Sequence, residues 1–143
     1  MTPFEYISSK VYTKVQPSNI QGVGLFALKS IPKGIFPFEK WEGETAFYPI
    51  ELEQINSLPE GLRHHIRDLF SFGPNYPSDK RIYIQLVNGC HWIFTSPYYF
   101  VNSGGENSNL DKSSYLTLRK INRGEEILSN YGKYEKLPSK ELI

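Results

Sequence analysis

The chain has 143 residues, with 16 Lys and Arg against 15 Asp and Glu, for a formal net charge of +1. That balance argues against a dedicated nucleic-acid binder, no apolar run approaches the roughly 20 residues of a membrane-spanning helix, and Met1 to Glu5 does not read as a secretory leader. One cysteine, Cys90, excludes an internal disulfide framework and points to a reducing compartment, nuclear or cytoplasmic.

The length suits a single domain, here residues 1–143, without linker or low-complexity segment. Ten Tyr, nine Phe, ten Pro and eleven Gly favour many short strands joined by tight turns. Lys10 to Val15 alternates polar and apolar and predicts a strand, with Gln16 to Asn19 as a turn. Val23 to Leu28 predicts a second strand, entered through Gly22 and Gly24. Ile31-Pro32-Lys33-Gly34 predicts a turn that Ile121-Asn122-Arg123-Gly124 echoes. Ile35 to Lys40 predicts a strand, and Pro37 confines it to an edge or a bulge.

Leu52, Ile55 and Leu58 recur at helical spacing, so Pro49 to Leu58 predicts a helix with Pro49 in its first turn. Leu62, Ile66, Leu69 and Phe70 mark one face of a second helix. His64 and His65 on that helix point about 100° apart and make a poor chelating pair, so no metal site is expected. Residues 41–60 hold Glu42, Glu44, Glu51, Glu53 and Glu60 with no Lys or Arg, an acidic stretch suited to a basic peptide or simply to solvent. Ser71 to Lys80 predicts a loop. Arg81 to Val87 and Cys90 to Phe94 predict a hairpin across Asn88-Gly89, and Ser114 to Arg119 predicts a strand.

Two stretches near the C-terminus carry the chemistry. Tyr98-Tyr99-Phe100-Val101-Asn102 ends an aromatic run on a polar amide and precedes a Gly104-Gly105 loop. Glu126-Ile127-Leu128-Ser129-Asn130-Tyr131-Gly132 is a short strand ending on a phenol and a glycine. Together they resemble the third and fourth motifs of SET-domain protein-lysine methyltransferases, roughly R-F-x-N-H-S-C-x-P-N and E-L-x-F-N/D-Y-G. Gly22-Val23-Gly24-Leu25-Phe26-Ala27 resembles the first motif and Trp41-Glu42-Gly43-Glu44 the second. Each match alone is weak, but the four occur in family order over residues 10–132.

The resemblance implies a mostly β fold of short sheets and small helices with a C-terminal pseudoknot. It also implies a variable insertion over about 49–80 that shapes the substrate groove. The implied reaction is methyl transfer from S-adenosyl-L-methionine to a lysine of a histone or other basic protein. Gly22, Val23, Gly24, Asn102, Ser103 and Tyr131 would hold the cofactor, with Tyr131 also the catalytic residue that orients the amine. Trp41, Tyr98, Tyr99, Tyr115 and Tyr134 would wall an aromatic lysine channel, which attracts a cation yet desolvates the amine. The tail, with Tyr134 and Leu137, would cover that channel. No metal is required, no membrane contact is expected, and a homo-oligomer is compatible.

Three departures stand out. Ser103-Gly104-Gly105 replaces His-Ser-Cys, and Pro-Asn is replaced by Asn107-Ser108 or, one residue later, Ser108-Asn109. Ser129 stands where the family has a large residue. The alternatives are a SET-like module that binds a peptide or partner without efficient catalysis, and an unrelated small β-rich interaction domain.

Overall fold

A computed structural model of the chain describes residues 1–91 and 97–130. The architecture is mostly small β-sheets with a few short helices. Helix α1 (Pro3–Lys10) opens on a capping box: the Thr2 hydroxyl accepts from the Glu5 amide, the Glu5 carboxylate accepts from the Thr2 amide, and Pro3 sits in the first turn. That nucleus carries Lys10 into the helix, so the strand expected from Lys10 begins only at Thr13. Strand β1 (Thr13–Pro17) then takes in Gln16 and Pro17, and the expected turn begins only at Ser18. As an edge strand it tolerates Pro17 at its end.

Strand β2 (Val23–Ala27) lies between β1 and β6 (Glu126–Ser129), antiparallel to both. Strand β5 (Asn102–Ser103) pairs parallel with β6, Asn102 beside Leu128 and Ser103 beside Ser129. Strand alternation places Leu25, Ala27 and Ile127 in a core with Ile31, Phe38, Val101, Leu110 and Ile121. Gly24, Phe26 and Glu126 fall on the other face.

The two echoing turns pack against each other. The Ile31 and Ile121 amides each donate to the other's carbonyl, at 2.8 and 2.9 Å. The Gly34 amide donates to the Thr117 carbonyl, and the Gly124 amide to the Ala27 carbonyl. The bonds are related by a local twofold that exchanges residues 27–34 with 117–124. Gly34 (φ +80°) and Gly124 (φ +88°) take left-handed backbone that a side chain would resist.

A second, two-stranded sheet pairs β3 (Ala46–Glu51) with β4 (Arg81–Leu86). Ile82, Ile84 and Leu86 alternate inward from β4 onto Tyr6, Ile7, Trp41, Leu62 and Ile66, with α2 (Leu52–Asn56) and α3 (Glu60–Leu69) covering them. Pro49, expected in a first helical turn, lies within β3 opposite Tyr83. Tertiary pairing overrides the local helix signal there, and a strand with one free edge accommodates the missing N–H. Of the expected α3 face, Leu62 and Ile66 are buried and Leu69 is 51% exposed.

Two more expected strands do not form. Residues 35–40 turn instead, burying Phe38 and leaving Gly34 and Pro37 as interruptions. Residues 114–119 form a turn around Tyr115, whose φ of +60° breaks extended backbone, and only Thr117 bridges to Leu110. The Asn88-Gly89 turn is present, with the Cys90 amide donating to the Val87 carbonyl. Gly89 donates to the Trp41 carbonyl, and Trp41 to that of Cys90. Residues 92–94 of that expected hairpin, and the residues after 130 on which the pseudoknot depends, lie outside the described ones.

Candidate functional site

The parallel β5–β6 pair carries Asn102 to the end of β2 where the glycine pair lies. Asn102 is 2% exposed. Its amide nitrogen donates to the carbonyls of Gln21 and Val23, each at 3.1 Å, and to Glu126 Oε2 at 2.9 Å. Two hydrogens serve three acceptors, so at least one is shared. The Ser18 hydroxyl lies 2.8 and 2.9 Å from the two Glu126 oxygens, and the Ile20 amide donates to that hydroxyl. The Ser18 amide closes the loop on the Gly22 carbonyl at 2.9 Å.

The two glycines have different reasons to lack a side chain. A Cβ on Gly24 would stand 2.3 Å from Glu126 Oε2 and 3.2 Å from Asn102 Nδ2. A Cβ on Gly22 would meet open space, but its φ of +49° favours glycine. Beside Gly22, Ile20 and Val23 are 53% and 46% exposed, so an apolar rim flanks the loop.

Asn109 completes the far side of β6. It is buried, its amide donates to the Glu126 carbonyl, and its side-chain oxygen accepts from the Leu128 amide, both at 2.8 Å. It thereby extends a strand ladder with a side chain. Asn107 is exposed. Ser103 pairs with Ser129, and Gly104 donates to the Ser129 carbonyl.

The aromatic residues fall into two groups. Tyr98 stacks on Tyr115 with centroids 5.0 Å apart at 15°, and both meet the edge of Phe38. Asp111 holds Tyr115 in its left-handed backbone by binding the amides of Ser113 and Ser114 and the Ser114 hydroxyl. A bulky residue with positive φ is uncommon and persists where the surroundings hold it. Tyr99 is 73% exposed. The turn Pro97–Phe100 packs against β2, bringing this group toward the sheet that carries the glycine pair.

Trp41, expected as a channel wall, lies in the other core. It is buried there between Tyr6 and Tyr48, with its indole N–H donating to the Glu44 carbonyl. Its planar bulk closes that core. Tyr131 and Tyr134 lie outside the described residues. The five glutamates of residues 41–60 are all exposed, and Glu60 reaches Arg123 at 3.3 Å. Among the described residues no cluster of His, Cys, Asp and Glu could hold a metal ion, and no helix is long and apolar enough to cross a membrane.

Glu126 and Ser18 were not among the expected site residues, nor was Asn109. Glu126 was legible as the first letter of the fourth motif, and Asn109 as the last of the third. Ser18 carried only a turn signal.

An open loop with a left-handed glycine stands beside a half-buried carboxylate and an apolar rim.

No family profile matches the chain, and no curated protein sequence does. Among solved structures it is similar to a Plasmodium falciparum protein proposed to be a histone methyltransferase, at 17% identity over 85% of this chain and 94% of that one, with a TM-score of 0.37. It is similar to the methyltransferase domain of human PR domain-containing protein 2, at 20% identity over 94% and 86% of the two chains, with a TM-score of 0.32. A third likeness is to a humanised mutant of Chaetomium thermophilum Polycomb Repressive Complex 2 bound to an inhibitor, at 19% identity and a TM-score of 0.40. That match covers 94% of this chain and 17% of the other.

Proposed function

We propose that the chain is an S-adenosyl-L-methionine-dependent protein-lysine N-methyltransferase acting on a histone or other basic protein. One observation carries the reading: the Asn102 amide ties the loop at Gln21 and Val23 to Glu126, so three motif segments far apart in sequence meet at one point. When bound, the cofactor supplies an electrophilic methyl group on sulfur.

The backbone of Gly22 to Gly24 and of Ser103 would face the cofactor. Glu126 would balance its positive charge. Asn102 acts by fixing the loop, because its amide hydrogens are already given to protein acceptors. The stacked rings of Tyr98 and Tyr115 would exclude water from the incoming lysine, which lowers its pKa and favours the neutral amine. Tyr99 at the surface would meet the peptide. Tyr131, and Tyr134 beyond it, would line the amine's approach, with the Tyr131 hydroxyl orienting the nitrogen. The lysine ammonium would lose its proton to water before it enters the dry channel, and the neutral amine would then take the methyl group as the carbon–sulfur bond breaks, leaving a methylated ammonium and a neutral thioether.

The test is transfer of a labelled methyl group from the cofactor to a panel of histones and other basic proteins, with the labelled residue mapped as lysine. Absence of transfer together with absence of cofactor binding by calorimetry refutes the reading. The commitment of the Asn102 amide within the protein favours one alternative, a SET-like module that binds a peptide without efficient catalysis. Peptide binding without turnover would select it.

A further inference from the structure

We propose that the cavity between β1, β2 and the start of α3 is a binding site for a phosphate group, free or as a monoester. The inference does not rest on the methyltransferase reading. The cavity holds about 190 Å³. Lys14, Gln16 and Arg123 supply its polar lining and Phe26 an apolar wall, and among the described residues no carboxylate lines it. Lys14 and Gln16 are two apart on β1, so their side chains rise from the same face. Phe26 is the cross-strand partner of Lys14.

Neither the Lys14 ammonium nor the Gln16 amide has a side-chain hydrogen bond or ion pair among the described residues. Arg123 has one, to Glu60 at 3.3 Å, and the two side chains are 52% and 55% exposed. A pair so open to water is weak and yields readily to a better anion. Gly61 seats α3 tightly against the wall: a Cβ there would lie 2.3 Å from the Leu28 carbonyl oxygen and 3.0 Å from Arg123 Nε.

Two cations and an amide donor around one small volume match a phosphate dianion in charge and in hydrogen bonding. A carboxylate would leave one cation unbalanced. The acids facing this group are Glu60, paired with Arg123, Asp68, which acts on the neighbouring His65 together with Lys14, and Glu126, the cross-strand partner of Phe26, whose carboxylate is held by Ser18 and Asn102.

The experiment titrates the full chain with inorganic phosphate, O-phosphoserine and acetate at matched ionic strength, read by calorimetry and by thermal unfolding. Either phosphate species is expected to raise the unfolding midpoint by ligand linkage, and acetate is not. Lys14→Gln is expected to weaken phosphate binding about tenfold by losing a charge-assisted bond, with an unchanged midpoint in the absence of anion. Glu60→Gln frees Arg123 and is expected to tighten binding severalfold. Tighter binding of phosphoserine assigns the site to a monoester, and tighter binding of inorganic phosphate assigns it to the free ion. No response to either species, an equal response to acetate, or unchanged affinity in Lys14→Gln overturns the proposal.

Discussion

His91 makes the stability of this protein sensitive to mild acid. Its side chain is buried at 4% exposure, and neither ring nitrogen has a hydrogen-bond partner among the described residues. The ring meets Phe38 edge-on at 6.4 Å, and the neighbouring Cys90 carbonyl is held by the Trp41 amide. Burial disfavours the imidazolium and pushes the pKa from 6.5 down to about 4. The unfolded chain therefore binds this proton below about pH 6.5, while the folded chain resists until about pH 4. The contribution is fully present above pH 6.5 and is lost as pH falls through that window. Between pH 7 and pH 5 the linkage relation gives a loss of about 2 kcal/mol. The His65 pKa is also lowered to about 4, by burial first and then by Lys14, but its side chain is only half-buried and its share is smaller. The perturbation is His91→Leu, which removes the titrating group and keeps an apolar side chain of similar reach. The assay is urea unfolding of both proteins at pH 7, 6 and 5, compared as free energies. The variant is expected to lose about 2 kcal/mol less than the parent between pH 7 and pH 5. Parallel pH profiles would refute the reasoning, because carboxylates common to both proteins cancel in the comparison.

Gly24→Ala drives a Cβ into Glu126 and Asn102, so it is expected to destabilise by about 1–3 kcal/mol and to abolish cofactor binding in calorimetry. Gly22→Ala meets no atoms and carries only a left-handed backbone penalty of about 1 kcal/mol, so it should remain folded. Asn102→Ala leaves the Gln21 and Val23 carbonyls without their shared donor; a loss of about 1–3 kcal/mol in urea unfolding is expected, with weaker cofactor binding. Asn109→Ala breaks two bonds to β6 and is expected to lower the thermal midpoint without removing a group that faces the cofactor. Tyr131→Phe is expected to lower turnover far more than cofactor affinity, and equal turnover would remove that hydroxyl from the mechanism.

Local pattern determined β2, α3 and the two Ile-x-x-Gly turns. In each case a short run states both its backbone preference and its buried face, as Leu62 and Ile66 do four residues apart. The capping box that starts α1 was equally local, written in Thr2, Pro3 and Glu5, and its omission misplaced the start of β1. Tertiary pairing decided the rest. Pro49 joins a strand because Ile82, Ile84 and Leu86 need a partner across the sheet, and Trp41 enters a core because Tyr6 and Tyr48 flank it. At the candidate site the sequence supplied the glycines, Asn102 and the Glu126 strand as separate segments. The antiparallel β2–β6 and parallel β5–β6 pairings together bring them into one cluster, which Ser18 joins. Such a meeting is not written in any window of sequence, because the hydrogen bonds that make it join residues from 24 to 108 positions apart.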